Sequence, residues 1–149
     1  MNRVLNTYDD TVIAINKWQP AQRYADELNY TDDLFNYLKE EMNATAPYTY
    51  MPLEKISVRK KEGAGSCDVI VGRRAVGIKV KMDLAGKSEV DVLIGQLVGC
   101  KPECDDLIVV LVGKTDEKAF EYLLAQVSTI KDNRYAALQR IKVMRRDTR

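Results

Sequence analysis

The chain has 149 residues and a formal net charge of +1, with 46% hydrophobic and 30% charged residues, a composition typical of one globular domain. No apolar run approaches the roughly 20 residues that span a bilayer, and no apolar signal core follows Met1, so neither a membrane protein nor a secreted one is expected. The absence of histidine excludes a Ser-His-Asp triad, a Cys-His pair and a histidine-ligated zinc site.

The first third of the sequence predicts two helices. Residues 9–18 begin with two aspartates, which favour the first turn of a helix, and Pro20 ends the segment. Pro47 and Pro52 predict a loop after a second, longer helix over residues 21–43. The apolar stripe of this longer helix, at close to helical spacing, is Tyr24, Leu28, Phe35, Leu38 and Met42.

Three short strands are predicted next. They cover residues 56–61, 67–71 and 75–82, and turns at residues 62–66 and 72–74 join them. Because both connections are short, the three strands are expected to form an antiparallel meander.

The second half of the chain alternates helices and strands. Ser88 marks the start of a helix that Pro102 ends. Residues 107–112 are continuously apolar, which is typical of a strand covered on both faces and usually parallel to a neighbour. Thr115 is the predicted N-cap of another helix, and a last strand is predicted over about residues 136–144.

The predicted order of elements is α-α-β-β-β-α-β-α-β. A meander followed by a right-handed crossover to a buried strand predicts a mixed sheet with helices on both faces. Residues 1–149 are therefore expected to form a single α/β domain.

Asp68 is a carboxylate inside an otherwise apolar strand. Burying it without a partner costs several kcal/mol, so a partner is expected. A turn centred on Arg73–Arg74 places Asp68 opposite Lys79, whereas a turn at Gly72–Arg73 makes Lys79 a diagonal neighbour. Either register puts both side chains, and Lys81, on one face. The pair is either a buried ion pair that holds the hairpin or part of a site for a metal or phosphate, and both interpretations stay open.

Two helical side chains lie where they could join Asp68. Glu27 and Gln96 each border the apolar stripe of a predicted helix, from which either could point over the sheet. A solvated helix flank is the alternative interpretation for both.

Positive charge is concentrated in two segments. Residues 55–81 hold eight basic and two acidic side chains, and residues 134–149 hold six basic and one acidic. These segments form a phosphate-binding face if they lie together, whereas solvated strand edges are the alternative.

The three cysteines have neither the spacing of a zinc knuckle nor that of a disulfide framework. They are expected to be small buried hydrophobic residues in a reducing compartment, which predicts a cytoplasmic location.

Three segments together resemble the PD-(D/E)XK nuclease superfamily, the restriction-endonuclease-like fold. They are residues 66–72 (SCDVIVG), 75–81 (AVGIKVK) and 94–97 (IGQL), and the stretch from Tyr24 to Leu34 resembles the first core helix of the Mrr-like or resolvase-like branches. The resemblance covers about residues 23–113. It implies an αβββαβ core with a mixed sheet flanked by helices, to which this chain adds an extra N-terminal helix.

The resemblance also implies roles for individual residues. Asp68 matches the metal-binding aspartate, Lys81 the catalytic lysine, Glu27 the helix-1 glutamate of some branches, and Gln96 a glutamine that some branches carry on the next helix. Lys79 stands where the family has its second acidic residue. Asp68 and Glu27 would hold Mg²⁺ if the site is active, but the ammonium of Lys79 changes the local charge by two units and weakens metal binding.

The sequence leaves three functions open. One is a nuclease-fold protein that acts on DNA with weakened Mg²⁺-dependent phosphodiester hydrolysis. Another is a catalytically degenerate member of the fold that binds nucleic acid or a partner protein, and an unrelated α/β interaction module is a third alternative. DNA is the expected partner, no membrane is expected, and a homodimer is left open.

Overall fold

The computed structural model describes residues 7–43, 55–61, 67–131 and 139–147. The predicted Pro47–Pro52 loop, the turn at residues 62–66 and residues 136–138 of the predicted last strand lie outside the described residues. The described elements are α1 (Thr7–Lys17), α2 (Glu27–Glu41), β1 (Val58–Lys60), β2 (Val69–Val71), β3 (Val76–Met82), α3 (Lys87–Cys100), a 3₁₀ turn (Lys101–Glu103), β4 (Asp106–Gly113), α4 (Glu117–Lys131) and β5 (Ile141–Asp147).

The five strands form one mixed sheet in the order β1-β2-β3-β4-β5. The strands β1, β2 and β3 are antiparallel neighbours, whereas β4 runs parallel to β3 and β5 runs parallel to β4. The predicted meander and the predicted parallel strand at residues 107–112 are therefore confirmed. All eight residues of β4 are buried, which explains why its sequence shows no polar alternation.

Helices cover both faces of the sheet, as predicted. The helices α1 and α2 pack against one face of β3, which presents Ile78 and Val80 to them. The helices α3 and α4 pack against the other face, where Val109 of β4 is buried. Because side chains alternate along a strand, Lys79 and Lys81 lie on the face that α3 and α4 cover.

The helix α2 begins at Glu27, so its predicted start at residue 21 is wrong. Asp26 is the N-cap, and its side chain accepts a hydrogen bond from the Leu28 backbone N–H. The preceding loop is held instead by Asp33, which accepts hydrogen bonds from the Trp18 indole N–H at 3.0 Å and the Tyr24 hydroxyl at 2.6 Å. With this start, Leu28 of the predicted apolar stripe is 61% exposed.

The N-caps of α3 and α4 also differ from prediction. Gly86, not Ser88, is the N-cap of α3, and Glu89 accepts a hydrogen bond from the Ala85 N–H just before the helix. At the start of α4, Asp116 accepts a hydrogen bond from Ala119 N–H at 3.0 Å, which is the geometry of an N-cap. Thr115 instead donates its hydroxyl to a carboxylate of β5.

Candidate functional site

Asp68 and Lys79 face each other at the open end of the β2–β3 hairpin. The observed register pairs Ile70 with Gly77, and two residues further along it Asp68 is opposite Lys79. This is the register of a turn centred on Arg73–Arg74. Lys79 Nζ lies 3.2 Å from Asp68 Oδ1, and the side chains are only 12% and 23% exposed, so the predicted pairing is confirmed.

Both oxygens of the Asp68 carboxylate are engaged. While Oδ1 faces the Lys79 ammonium, Oδ2 accepts a hydrogen bond from the Val80 backbone N–H at 2.7 Å. Here β3 extends past the start of β2, so its edge N–H groups need other acceptors. Glu27 of α2 serves the next such group, because its Oε2 accepts from the Met82 N–H at 2.8 Å. The two carboxylates therefore complete the hydrogen bonding of the β3 edge.

Lys81 lies between two carboxylates from different helices. Its Nζ is 3.4 Å from Glu89 Oε1 and 4.0 Å from Glu27 Oε2. Lys81 and Glu27, both expected near the Asp68–Lys79 pair, thus also lie close to each other. Sequence reasoning missed Glu89, for which the only signal is an acidic residue in the first turn of a predicted helix.

Gln96 does not share the hydrogen bonds and ion pairs that connect the other four predicted site residues. It is half-buried on α3, next to Leu97, which is buried against the sheet. Within the described residues, no hydrogen bond joins it to Asp68, Lys79, Lys81 or Glu27. The structure therefore brings together four of the five predicted site residues.

Asp68 and Glu27 are each held by a different backbone nitrogen of β3. The two nitrogens are two residues apart along the strand, a spacing of about 6.6 Å. Two oxygens that share Mg²⁺ lie at most about 4 Å apart, because each is about 2.1 Å from the ion, so the two carboxylates would have to lean toward each other to share one ion. The free side of Asp68 is also occupied by the ammonium of Lys79. In this arrangement Lys79 supplies the positive charge that a metal would bring.

A disulfide lies next to this site. Cys67, which directly precedes Asp68, is bonded to Cys100 at the end of α3, and Gly77 leaves room for the sulfur, because a Cβ there would be 2.5 Å from Cys67 Sγ. The expectation that all three cysteines are merely small buried hydrophobic residues is therefore wrong for this pair and right for Cys104, which is free and buried. A disulfide is uncommon in reducing compartments, so it does not favour the expected location.

One group of potential metal ligands lies at the same place. Among the described residues, Cys67, Cys100 and Glu103 are the one set of three whose ligand atoms all lie within 4.8 Å of one another. The two sulfurs are bonded to each other, and the Glu103 carboxylate pairs with Lys61 at 2.7 Å. Hydrogen bonding to Lys61 is the main cause that lowers the pKa of Glu103. These contacts account for the three side chains without a metal.

The outer strands of the two basic segments, β1 and β5, do not lie together on one face. β1 and β5 are the opposite edges of the five-stranded sheet, about 19 Å apart at ~4.8 Å per strand. Much of the positive charge is also balanced by ion pairs, as Lys60 with Asp32 and Arg140 with Asp106 illustrate.

Three arginines near the β2–β3 turn form no close ion pair with a carboxylate of the described residues. Arg59 donates to the carbonyl of Arg73 at 2.9 Å, and Arg74 donates to the carbonyls of Pro102 and Glu103. We call Arg59, Arg73 and Arg74 the turn arginines.

Comparisons with known proteins add no family to these observations. No protein-family model matches the chain, and neither a curated protein nor a solved structure shows a significant match. None of the helices in the described residues is long and apolar enough to cross a membrane.

Proposed function

We propose that this protein is a restriction-endonuclease-like protein that binds DNA and does not cut it efficiently in its natural form. The order αβββαβ, the antiparallel meander with a parallel fourth strand, and the helices on both faces support the fold assignment. The clustering of Asp68, Lys81 and Glu27 at one end of β3 supports it further, because these residues match the family's motif.

The observation that carries the loss of hydrolysis is the Asp68–Lys79 pair. A nuclease of this kind needs a carboxylate that is free to bind Mg²⁺, which then polarises the phosphate and activates water. Here one Asp68 oxygen contacts an ammonium at 3.2 Å and the other accepts a backbone hydrogen bond at 2.7 Å. A metal would have to displace Lys79 and overcome its repulsion, which at about 4 Å is roughly 4 kcal/mol per unit charge at an effective dielectric near 20.

The turn arginines are the surface that we propose for DNA. The guanidinium groups of Arg59 and Arg74 are bonded to carbonyl oxygens, and the Arg73 side chain is exposed, so these cations remain available to phosphates. Arg74 precedes β3 by two residues and lies five residues from Lys79, so the two Cα atoms are at most about 17 Å apart at ~3.3 Å per residue. One duplex could therefore contact both places, because a single helical turn of DNA extends about 34 Å.

The test is the salt dependence of DNA binding, measured by fluorescence anisotropy with a labelled duplex in EDTA. We expect affinity to fall steeply with salt, because bound cations release counterions from the phosphates. The double variant Arg59→Gln/Arg73→Gln should bind more weakly and show a smaller salt slope, by about 0.9 for each phosphate that it no longer neutralises.

The matched control is Lys60→Gln. It removes one positive charge from β1, the strand that carries Arg59, but this is a charge that Asp32 already balances at 2.7 Å. It should leave the salt slope unchanged. Absence of binding by the natural protein at low salt, or equal effects of the double variant and the control, would refute the DNA proposal.

Weakened hydrolysis is a second candidate, and the position of Lys81 favours it. Its ammonium lies near two carboxylates, Glu27 and Glu89. In this chain Lys79 occupies the position of the family's second acidic residue, and either glutamate could take over the role of that missing carboxylate. Lys79→Glu restores the family's carboxylate pair and should introduce or increase nicking of plasmid DNA in Mg²⁺ or Mn²⁺, which a further Lys81→Ala change should abolish. A folded Lys79→Glu variant that gains neither nicking nor a metal-dependent rise in melting temperature would exclude this candidate.

A further inference from the structure

A cleft of about 580 Å³ lies between the loop that follows α1 and the end of β5. Gln19, Gln22 and Arg23 line it from the loop, and Arg145, Arg146 and Asp147 line it from β5. The cleft is at the carboxyl end of the two parallel strands β4 and β5.

Arg146 has a buried donor without an acceptor. Its Nη2 donates to the Trp18 carbonyl at 2.6 Å, but its Nε is buried and has no hydrogen-bond partner in the described structure. Within the same residues no carboxylate forms an ion pair with this guanidinium. A partly buried cation without a carboxylate partner is stabilised when an anion compensates its charge. The Arg146 guanidinium at this cleft can therefore take an oxyanion as its counter-charge.

Arg23 brings a second unbalanced guanidinium to the cleft. Its side chain is exposed and takes part in no ion pair among the described residues. The third arginine there, Arg145, is different, because its nitrogens pair with Glu117 at 2.8 Å and Asp147 at 2.7 Å. Two guanidinium groups are thus left for a ligand, with the amides of Gln19 and Gln22 as neutral donors.

The loop that carries these residues is held in place before any ligand binds. The Asp33 carboxylate accepts hydrogen bonds from the Trp18 indole N–H, the Ala21 N–H at 2.8 Å and the Tyr24 hydroxyl. Its charge is thereby directed to the loop backbone and side chains. A preorganised loop lowers the entropy cost of binding.

We propose that this cleft binds a phosphate group between Arg146 and Arg23. A planar guanidinium presents a fork of N–H donors that matches the oxygens of a phosphate, which accept parallel hydrogen bonds. The phosphate comes either from a free phosphate ester or from a polynucleotide end or backbone. The site is independent of the turn arginines and of Asp68, so it stands or falls separately from the proposed DNA binding.

The test uses isothermal titration calorimetry of the full chain with three probes: inorganic phosphate, adenosine monophosphate and a single-stranded oligonucleotide, each against chloride at equal ionic strength. Arg23→Gln should weaken phosphate binding about tenfold without loss of stability, because the variant cannot form one charged hydrogen bond. Arg146→Lys should weaken it similarly, since lysine keeps the charge but not the fork. Lys142→Gln, a control at an exposed lysine of β5 that does not line the cleft, should bind phosphate like the natural protein.

The outcomes separate the sources. Tight binding of inorganic phosphate and adenosine monophosphate, with an oligonucleotide affinity that Arg23→Gln does not change, assigns the cleft to a free phosphate ester. Loss of oligonucleotide affinity in Arg23→Gln assigns it to a polynucleotide. No binding of any probe beyond that of chloride, or equal phosphate binding by the natural protein, Arg23→Gln and Arg146→Lys, would overturn the proposal.

Discussion

Replacing Lys79 by methionine removes the ammonium from the Asp68–Lys79 pair and keeps a flexible apolar stem. At 3.2 Å and an effective dielectric near 20, the attraction between the two charges is roughly 5 kcal/mol, before desolvation is subtracted. Removing one partner of a buried pair typically costs about 3–5 kcal/mol. Because Asp68 keeps its hydrogen bond from Val80 and is 23% exposed, we expect the lower end, about 3 kcal/mol.

This destabilisation should be visible in both chemical and thermal unfolding. For a chain of this length, 1 kcal/mol corresponds to roughly 2–4 °C in melting temperature, so Lys79→Met should melt about 6–12 °C lower. The control is Lys142→Met on the edge strand β5, an exposed lysine whose replacement should change stability by less than about 0.5 kcal/mol.

A double-mutant cycle isolates the pair itself. Asp68→Asn, Lys79→Met and the double variant should give a coupling free energy of about 1–3 kcal/mol, because the two side chains touch. Additive effects, or equal destabilisation in Lys79→Met and Lys142→Met, would refute the reasoning that Lys79 compensates a buried carboxylate.

Three further predictions concern the region around the disulfide. Reduction of Cys67–Cys100 should lower the free energy of unfolding by roughly 4 kcal/mol, because the bond closes a loop with a sequence separation of 33. Urea titrations with and without dithiothreitol measure this difference, and an unchanged unfolding midpoint would contradict it. Burial raises the pKa of the Cys104 thiol to about 11, so iodoacetamide at neutral pH should label Cys104 only in urea, and labelling of the folded protein detected by mass spectrometry would count against its burial. Because hydrogen bonding to Lys61 lowers the pKa of Glu103 in the folded state, its ionised form stabilises the fold. At pH values above 4.5, the ordinary pKa of Glu103, the Glu103→Gln variant should therefore be less stable than the natural protein. This difference in stability should disappear as the pH falls below 4.5 and passes the lowered pKa of the folded state. A difference that stays constant over this pH range would argue against the pairing.

The central sheet and its hairpin pair were predictable from local patterns. The continuous apolar run of β4 predicts burial on both faces, and the structure buries the whole strand. The Asp68–Lys79 contact follows from the alternation of side chains along the strands and from a short turn. A two-residue turn at either of the predicted positions places both side chains on the same face of the hairpin.

The remaining features depend on contacts between distant segments. The start of α2 moves to Glu27 because Asp33 ties the preceding loop to Trp18, which helical periodicity alone does not reveal. The Glu89–Lys81 contact depends on how α3 crosses the sheet. The Cys67–Cys100 bond joins residues 33 apart, and spacing alone does not predict such pairings.

The proposed function depends above all on the ammonium of Lys79 taking the place of a metal at Asp68. The decisive experiment is nicking of supercoiled plasmid by the natural protein, in EDTA and in Mg²⁺ or Mn²⁺, with Asp68→Asn as the matched control. We predict DNA binding without metal-dependent nicking, and the same background for the natural protein and Asp68→Asn. Efficient nicking that requires the metal and disappears in Asp68→Asn would show instead that a metal binds at Asp68 despite Lys79.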